Sequence, residues 1–140
     1  MTSVVLDTNV LVAAARSRTG ASQRLLRLLP DTRFQPAISV PLFAEYSAVL
    51  KRPEHLLGRT PGQVDAFLDF LLSVAQLQDI FYLWRPMLLD PDDDMVLELA
   101  VAAGCRYIIT HNVTDFRGIE RFGIEALQPG EFLRRLGETP

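Results

Sequence analysis

The hydrophobic residues of this chain form short continuous runs that alternate with longer stretches in which every third or fourth residue is apolar. Continuous runs over residues 3–6, 34–38, 107–110 and 124–127 predict buried β-strands. Helical spacing predicts helices over residues 10–15 and 21–29, broken near Gly20, and over residues 40–51, 61–75, 93–103 and 129–136. Strands that alternate with helices predict an α/β fold in which helices cover both faces of a central parallel sheet.

Capping residues support several of these helix boundaries. Ser39 can cap the helix that contains Pro41 in its first turn, because a serine side chain accepts a hydrogen bond from an unpaired amide there. Thr60 and Gln63 form a capping box around Pro61. Gly104 is suited to the left-handed conformation that ends a helix.

Length and composition indicate one globular domain. The chain has 140 residues, of which 49% are hydrophobic and 22% are charged. Its only cysteine is Cys105, which fits a reducing compartment. The sequence has no secretory signal pattern and no apolar run near the roughly 20 residues that span a bilayer. We therefore expect a cytoplasmic protein that does not associate with membranes.

The net charge of −3 does not by itself favour binding to nucleic acid, which normally requires an excess of basic residues. Thirteen of the fourteen basic residues are arginine, a bias that suits phosphate binding but that a GC-rich genome also explains, and we favour the genomic explanation. Four arginines, Arg16, Arg18, Arg24 and Arg27, are candidates for contact with a polyanion. An ordinary solvated charged face is at least as good an explanation.

Acidic residues occur at four positions where a parallel sheet would bring them together. Asp7 directly follows the first predicted strand, and Asp115 follows the strand at 107–110. Glu45 interrupts an apolar helix, and acids crowd residues 90–94 at the start of another. Because open α/β sheets bind ligands at the carboxyl ends of their strands, we expect these acids to form one site.

Each position also has a purely structural explanation. Asp7 and Asn9 are typical helix-capping residues, and the acids of residues 90–94 interact favourably with a helix dipole. Asp115 is a common type of turn residue. Glu45 is harder to explain in this way, because it lies at the margin of an apolar helix face, where an unpaired charge is costly. The convergence of all four positions favours a site.

Oxygen ligands without cysteine or paired histidine select Mg²⁺ or Mn²⁺ rather than Zn²⁺. His55 and His111 are too far apart in the sequence to suggest a zinc pair. The sequence contains no phosphate-binding glycine loop, no Gly-x-Ser-x-Gly motif and no neighbouring Cys and His. These features predict metal-dependent phosphodiester hydrolysis in which a metal-bound water is the nucleophile.

The sequence resembles the PIN-domain family, in particular the VapC-like toxin nucleases of prokaryotic toxin–antitoxin pairs. The resemblance lies in the segments at 4–12, 41–50, 90–104 and 107–116, in that order, and it spans nearly the whole chain. It implies a three-layer α/β/α fold and an endoribonuclease that depends on Mg²⁺ or Mn²⁺. It also implies RNA as the substrate and a small antitoxin as the partner.

The resemblance assigns roles to particular residues. Asp7, Glu45, Asp93 and Asp115 look like the acidic quartet that binds metal and performs catalysis, with Asp94 and Asp90 as alternatives to Asp93. Four polar residues, Thr8, Asn9, Thr110 and Asn112, look like supports of this quartet. Many family members carry an acid where Asn112 stands, which suggests one firmly held metal and a weaker second one.

Two other functions fit part of the pattern. A haloacid-dehalogenase-type phosphatase also begins with a strand and an aspartate, but it needs a second aspartate where this chain has Asn9. A non-catalytic PIN-like module that binds RNA or protein would keep the fold without turnover. Apolar residues on the helices around 10–29 and 40–50 exceed what one buried face needs, which predicts a homodimer or a bound antitoxin.

Overall fold

A computed structural model describes residues 1–80, 88 and 90–138 of the protein. Its strands are β1 (Thr2–Leu6), β2 (Phe34–Ile38), β3 (Gln76–Leu77), β4 (Tyr107–Ile109) and β5 (Glu125–Leu127). Its α-helices are α1 (Thr8–Arg16), α2 (Ala21–Arg27), α3 (Val40–Leu50), α4 (Pro53–Leu56), α5 (Pro61–Val74), α6 (Pro91–Ala102) and α7 (Pro129–Leu136). Short 3-10 helices cover Val113–Phe116 and Ile119–Phe122.

The five strands form one parallel sheet in the order β3-β2-β1-β4-β5. The strands β2 and β3 lie on one side of β1, and β4 and β5 lie on its other side. Val5 is paired with Ile108 across this junction. Ligands of open α/β sheets bind at such a point, where the strand order reverses. The fold is therefore the expected three-layer α/β/α arrangement, with its crevice between the carboxyl ends of β1 and β4.

Burial of the central strands and the inner helix faces holds this fold together. Val4, Val5, Ile108 and Ile109 are buried on β1 and β4, and Leu42 and Tyr46 are buried on α3. Strands that are covered on both faces have continuous apolar sequences, which explains why the runs at 3–6 and 107–110 are informative. In the part of the chain that the structure describes, no helix has both the length and the apolarity to cross a membrane.

The predicted elements are confirmed to within one or two residues, and the strand β3, the helix α4 and the two 3-10 helices are additions. The strand β3 has only two residues, too few to show a period. The helix α4 is a single turn that ends at Leu57, which has a left-handed φ of 51°. The capping box at Thr60 is present, with both of its hydrogen bonds.

The helix α6 begins two residues earlier than the sequence predicts. Pro91 occupies the first turn, and the side chain of Asp90 caps the helix by accepting a hydrogen bond from the Asp92 amide at 2.9 Å. At the other end Gly104 has a φ of +67°, and the Cys105 amide donates to the Ala100 carbonyl at 2.8 Å. This pattern closes the helix as the glycine predicts.

Candidate active site

The acidic site starts from Asp7, which ends β1 and caps α1. The Asp7 amide donates to the Ile109 carbonyl at 2.9 Å, which joins the end of β1 to the end of β4. One carboxylate oxygen, Oδ1, accepts from the Thr8 amide at 2.8 Å. The capping role that the sequence suggests is therefore real, and it also fixes the orientation of the carboxylate in the crevice.

Thr110 holds the second oxygen of Asp7. This fully buried threonine follows β4, and its hydroxyl donates to Asp7 Oδ2 at 2.8 Å. The same hydroxyl oxygen accepts from Asn9 Nδ2 at 3.3 Å and from the Asn112 amide at 3.0 Å. Because a hydroxyl has one hydrogen and two lone pairs, the Thr110 hydroxyl makes all the hydrogen bonds that it can form.

Asn9 connects the two strand ends. Its Nδ2 donates to Asp7 Oδ2 at 3.3 Å as well as to Thr110, and its Oδ1 accepts from the His111 amide at 3.1 Å. The side chain of Asn9 therefore supports Asp7 rather than facing a substrate. A second aspartate at this position would place an acceptor against Asp7, so the arrangement argues against the phosphatase alternative.

Glu45 reaches the site from α3. Its Oε2 accepts a short hydrogen bond from the Thr8 hydroxyl, so Thr8 orients Glu45 with its side chain while its amide binds Asp7. The next residue, Tyr46, is buried and donates from its hydroxyl to the carbonyl of Leu6. This bond ties α3 to the end of β1 and thereby sets the distance between Glu45 and Asp7.

The four aspartates at the start of α6 have different surroundings. Asp90 is the cap, and the side chain of Asp92 contacts Glu45. Asp94 is buried, and its Oδ1 accepts from the Leu88 amide at 2.9 Å. Asp93 is half-buried and faces the charges of Asp7 and Asp115.

Asp115 lies in the 3-10 helix after β4, where its amide donates to the Asn112 carbonyl at 3.0 Å. Its side chain is exposed, but its charge acts on both Asp7 and Asp93. Asn112 is exposed beside it and is joined to Thr110 through its amide. The structure thus brings the predicted quartet and its four predicted supporting residues to one end of the sheet.

The pKa values of Asp7, Glu45 and Asp93 are raised. Burial raises the pKa of Asp7, and the charges of Asp115 and Asp90 add to this, although hydrogen bonds from Thr110 and Thr8 oppose it. Burial also raises the pKa of Glu45, as does the nearby Asp92. Burial together with the charge of Asp7 raises the pKa of Asp93 to about 7. The three carboxylates are therefore costly to ionise together.

A cation would relieve this cost. In the described part of the chain, no ion pair involves Asp7, Glu45 or Asp93. The donors are carboxylate oxygens, which suit Mg²⁺ or Mn²⁺. Within residues 1–80, 88 and 90–138, no three His, Cys, Asp or Glu side chains form a ready-made metal site. The donor chemistry therefore fits a hard cation.

Two features of the site were not predicted from the sequence. Tyr46 reads as an ordinary core residue, because only the fold places its hydroxyl beside Leu6. The ring of His111 is bound through Nε2 to the buried Ser22 hydroxyl at 2.9 Å. No sequence spacing links two residues that lie 89 positions apart. In contrast, the Asp-Pro pair at 90–91 is typical of a helix start, and it indicates Asp90 as the cap of α6.

Comparison with known proteins agrees with this geometry. A search of curated proteins gave no match. A comparison with protein families matches residues 3–114 to the PIN domain, which covers most of the chain and includes Asp7, Glu45 and Asp93. PIN domains are generally nucleases and generally use divalent metals. The sequence, the parallel sheet and the acidic crevice agree with this match, and the chain belongs to the PIN domain family.

Proposed function

We propose that this protein is an endoribonuclease that depends on Mg²⁺ or Mn²⁺ and acts as the toxin of a prokaryotic toxin–antitoxin pair. The observation that carries the proposal is the burial of Asp7, Glu45 and Asp93 in one crevice, which raises their pKa values together with the charges of neighbouring aspartates. A protein gains nothing in stability from such a cluster of unpaired acids, whereas a metal-binding site requires it.

The four acids have complementary roles in this proposal. Asp7, Glu45 and Asp93 would hold the cation, and Asp115 would complete the site from the β4 side. A bound divalent cation supplies an activated water and neutralises charge on the phosphate. Thr110 fixes Asp7, Thr8 fixes Glu45, and Asn9 fixes the distance between the two strand ends. Asn112, a neutral residue beside Asp115, favours one firmly held metal over two.

The decisive experiment measures cleavage of a labelled single-stranded RNA with Mg²⁺, with Mn²⁺ and with EDTA. We expect internal cleavage that requires metal, and a single-stranded DNA of the same sequence should remain uncut. Asp7→Asn, purified in the same way, controls for contaminating ribonuclease. Cleavage that persists in EDTA, or equal cleavage by Asp7→Asn, would contradict the proposal.

We also propose a small antitoxin as the partner, with a homodimer as the alternative. A groove of about 370 Å³ supports a partner, because apolar residues including Leu11, Leu26 and Phe67 line it. Arg27 and Arg59 also line this groove and favour an acidic partner segment. Arg27 therefore lies where a protein could bind it, rather than beside the acids as a contact for RNA.

Light scattering of the protein alone, and of the protein produced together with the product of the neighbouring gene, tests this partner. We expect a heteromeric complex that Phe67→Glu weakens, because a charge would then enter the groove. Phe122→Glu is a matched control at an exposed aromatic residue outside the groove. A monomer that binds no neighbouring gene product would contradict both forms of assembly.

A further inference from the structure

A second cleft borders the acidic site on the side of β5. It has a volume of about 490 Å³, and its lining includes His111, Val113, Leu127 and Gln128. Two hydrogen bonds connect it to Asn9 and Thr110, the residues that hold Asp7. The His111 amide donates to Asn9, which itself binds Asp7, and the Thr110 amide donates to the Leu127 carbonyl at 2.8 Å. The residues that hold Asp7 are therefore hydrogen-bonded to the wall of this cleft.

The floor of the cleft is apolar. Leu127 and Pro129 are buried, and Ala21, Ala126 and Val113 are partly buried around them. Arg134 also lines the cleft, but it is paired with Glu131 at 2.7 Å. Because this pair is neutral as a whole, the cleft has no excess positive charge to attract a phosphate. A neutral, flat and partly apolar group suits it better.

His111 provides a fixed wall for such a group. Its ring is exposed at the rim, but Nε2 is bound to Ser22, which is only 3% exposed. The backbone of His111 is held by Asn9 at the same time. A residue that is held through both its ring and its backbone loses little conformational freedom when another ring stacks on it. Imidazole rings are among the side chains on which unpaired RNA bases stack.

We propose that this cleft binds the nucleobase of the nucleotide next to the cleaved phosphodiester bond. His111 is the residue against which the base packs, and Gln128, an exposed residue in the lining of the cleft, would form hydrogen bonds with the base edge. Ser22 is a positioning residue that acts through His111. This inference rests on the proposed ribonuclease activity, because it assigns the substrate group next to the reacting phosphate.

The first test maps cleavage preference on an RNA library with randomised positions around the cut. His111→Ala and Gln128→Ala should each reduce the base preference at one position beside the cut by about 10-fold, as loss of one stacked or hydrogen-bonded base predicts. Ser22→Ala should reduce it less, because the ring remains present but is no longer fixed. Thr32→Ala, exposed at the opposite end of the sheet, should leave the preference unchanged. Unchanged preferences in both His111→Ala and Gln128→Ala would overturn the proposal.

The second test does not require cleavage. Amide NMR spectra of the metal-free protein are recorded with each of the four nucleosides and, separately, with inorganic phosphate. We expect at least one nucleoside to shift the amide signals of Val113, Gln128 and Gly130, and expect His111→Ala to remove the shift. No shift with any nucleoside, or the same shifts with phosphate alone, would overturn the base assignment.

The two tests separate the two proposals. If the wild-type protein cuts no RNA with any metal but a nucleoside still binds the cleft, the ribonuclease proposal fails and the nucleobase site stands. If RNA is cut with a preference that ignores His111 and Gln128, the ribonuclease stands and the nucleobase site fails. Circular dichroism and melting temperatures of the variants establish that each one is folded.

Discussion

Two groups of acidic residues in this protein have opposite electrostatic surroundings. Near the carboxyl terminus, Arg33 binds both Asp31 and Glu138, at 2.7 and 2.8 Å, and the Arg33 guanidinium lowers the pKa of Asp31. At the carboxyl ends of β1 and β4, Asp7 and Asp93 face other acids and their pKa values are raised. The acids of the first group form ion pairs with Arg33, whereas no ion pair in the described part of the chain involves Asp7 or Asp93. Only the second has the character of a binding site.

The largest expected difference is in catalysis, between Asp7→Asn and Asp31→Asn. Both variants remove one carboxylate charge with almost no change of shape. Asp7→Asn should reduce metal-dependent RNA cleavage by more than about 100-fold, because it removes a charge that holds the cation. Asp31→Asn should leave cleavage unchanged and lower the melting temperature slightly, because surface ion pairs contribute little. Initial rates and melting curves of both variants test this prediction, and similar losses of activity would remove the distinction between the two groups.

The next expected effect separates Asp93 from Asp90 within the helix α6. Asp93→Asn should weaken Mn²⁺ binding by at least about 10-fold and raise the metal-free melting temperature at pH 8, because it removes a charge that its neighbours oppose. Asp90→Ala should destabilise the protein by about 1 kcal/mol, since it removes a helix cap, with a smaller loss of metal affinity. Calorimetry with Mn²⁺ and thermal melts measure both quantities. A greater loss of metal affinity in Asp90→Ala would instead make Asp90 the principal ligand.

The raised pKa of Asp93 should make its contribution to the stability of the metal-free protein depend on pH. Folded Asp93 keeps its proton up to about pH 7, whereas its ordinary pKa is 3.8. Between these values Asp93 binds more protons in the native state than in the unfolded state, so its contribution to the free energy of unfolding should fall as pH rises from about 4 to 7. Asp31, whose pKa is lowered, contributes in the opposite direction, so the contribution of Asp93 is the difference between the wild type and Asp93→Asn. Saturating Mg²⁺ should flatten this dependence, because the ion stabilises the charged form. Urea unfolding with EDTA at several pH values tests the sign, and a stability that rises across this range in the wild type but not in Asp93→Asn would contradict it.

The smallest expected effect concerns Tyr46, which helps to position Glu45 but is not itself one of the acids of the site. Tyr46→Phe removes the hydrogen bond to Leu6 and should cost about 1 kcal/mol of stability. Cleavage should fall only modestly, because Thr8 still orients Glu45. Tyr107→Phe is the matched control on β4, at a buried tyrosine that packs against Phe132. If Tyr107→Phe reduces cleavage as much as Tyr46→Phe, the role of Tyr46 in positioning Glu45 is contradicted.

The sequence predicts the fold well because buried parallel strands and capped helices have strong local signals. The runs around Val5 and Ile108 and the capping box at Thr60 are examples. It also identifies acids that share one end of the sheet, since Asp7 and Asp115 follow strands, Asp93 lies at the start of a helix, and Glu45 interrupts an apolar helix. It does not predict the two-residue strand β3 or the contact of Ser22 with His111, because these depend on tertiary packing rather than on local pattern. The sequence predicts the start of α6 two residues too late, because several aspartates in residues 90–94 could serve as its cap.

The pairing of β1 with β4 has a consequence during synthesis of the chain. Asp7 leaves the ribosome early, but its partner Thr110 and the charge of Asp115 follow more than one hundred residues later. A nascent chain that ends before β4 has no complete acidic crevice, whatever part of the sheet it has already formed. Under the proposed ribonuclease activity, RNA cleavage would begin only after β4 and Asp115 have been made.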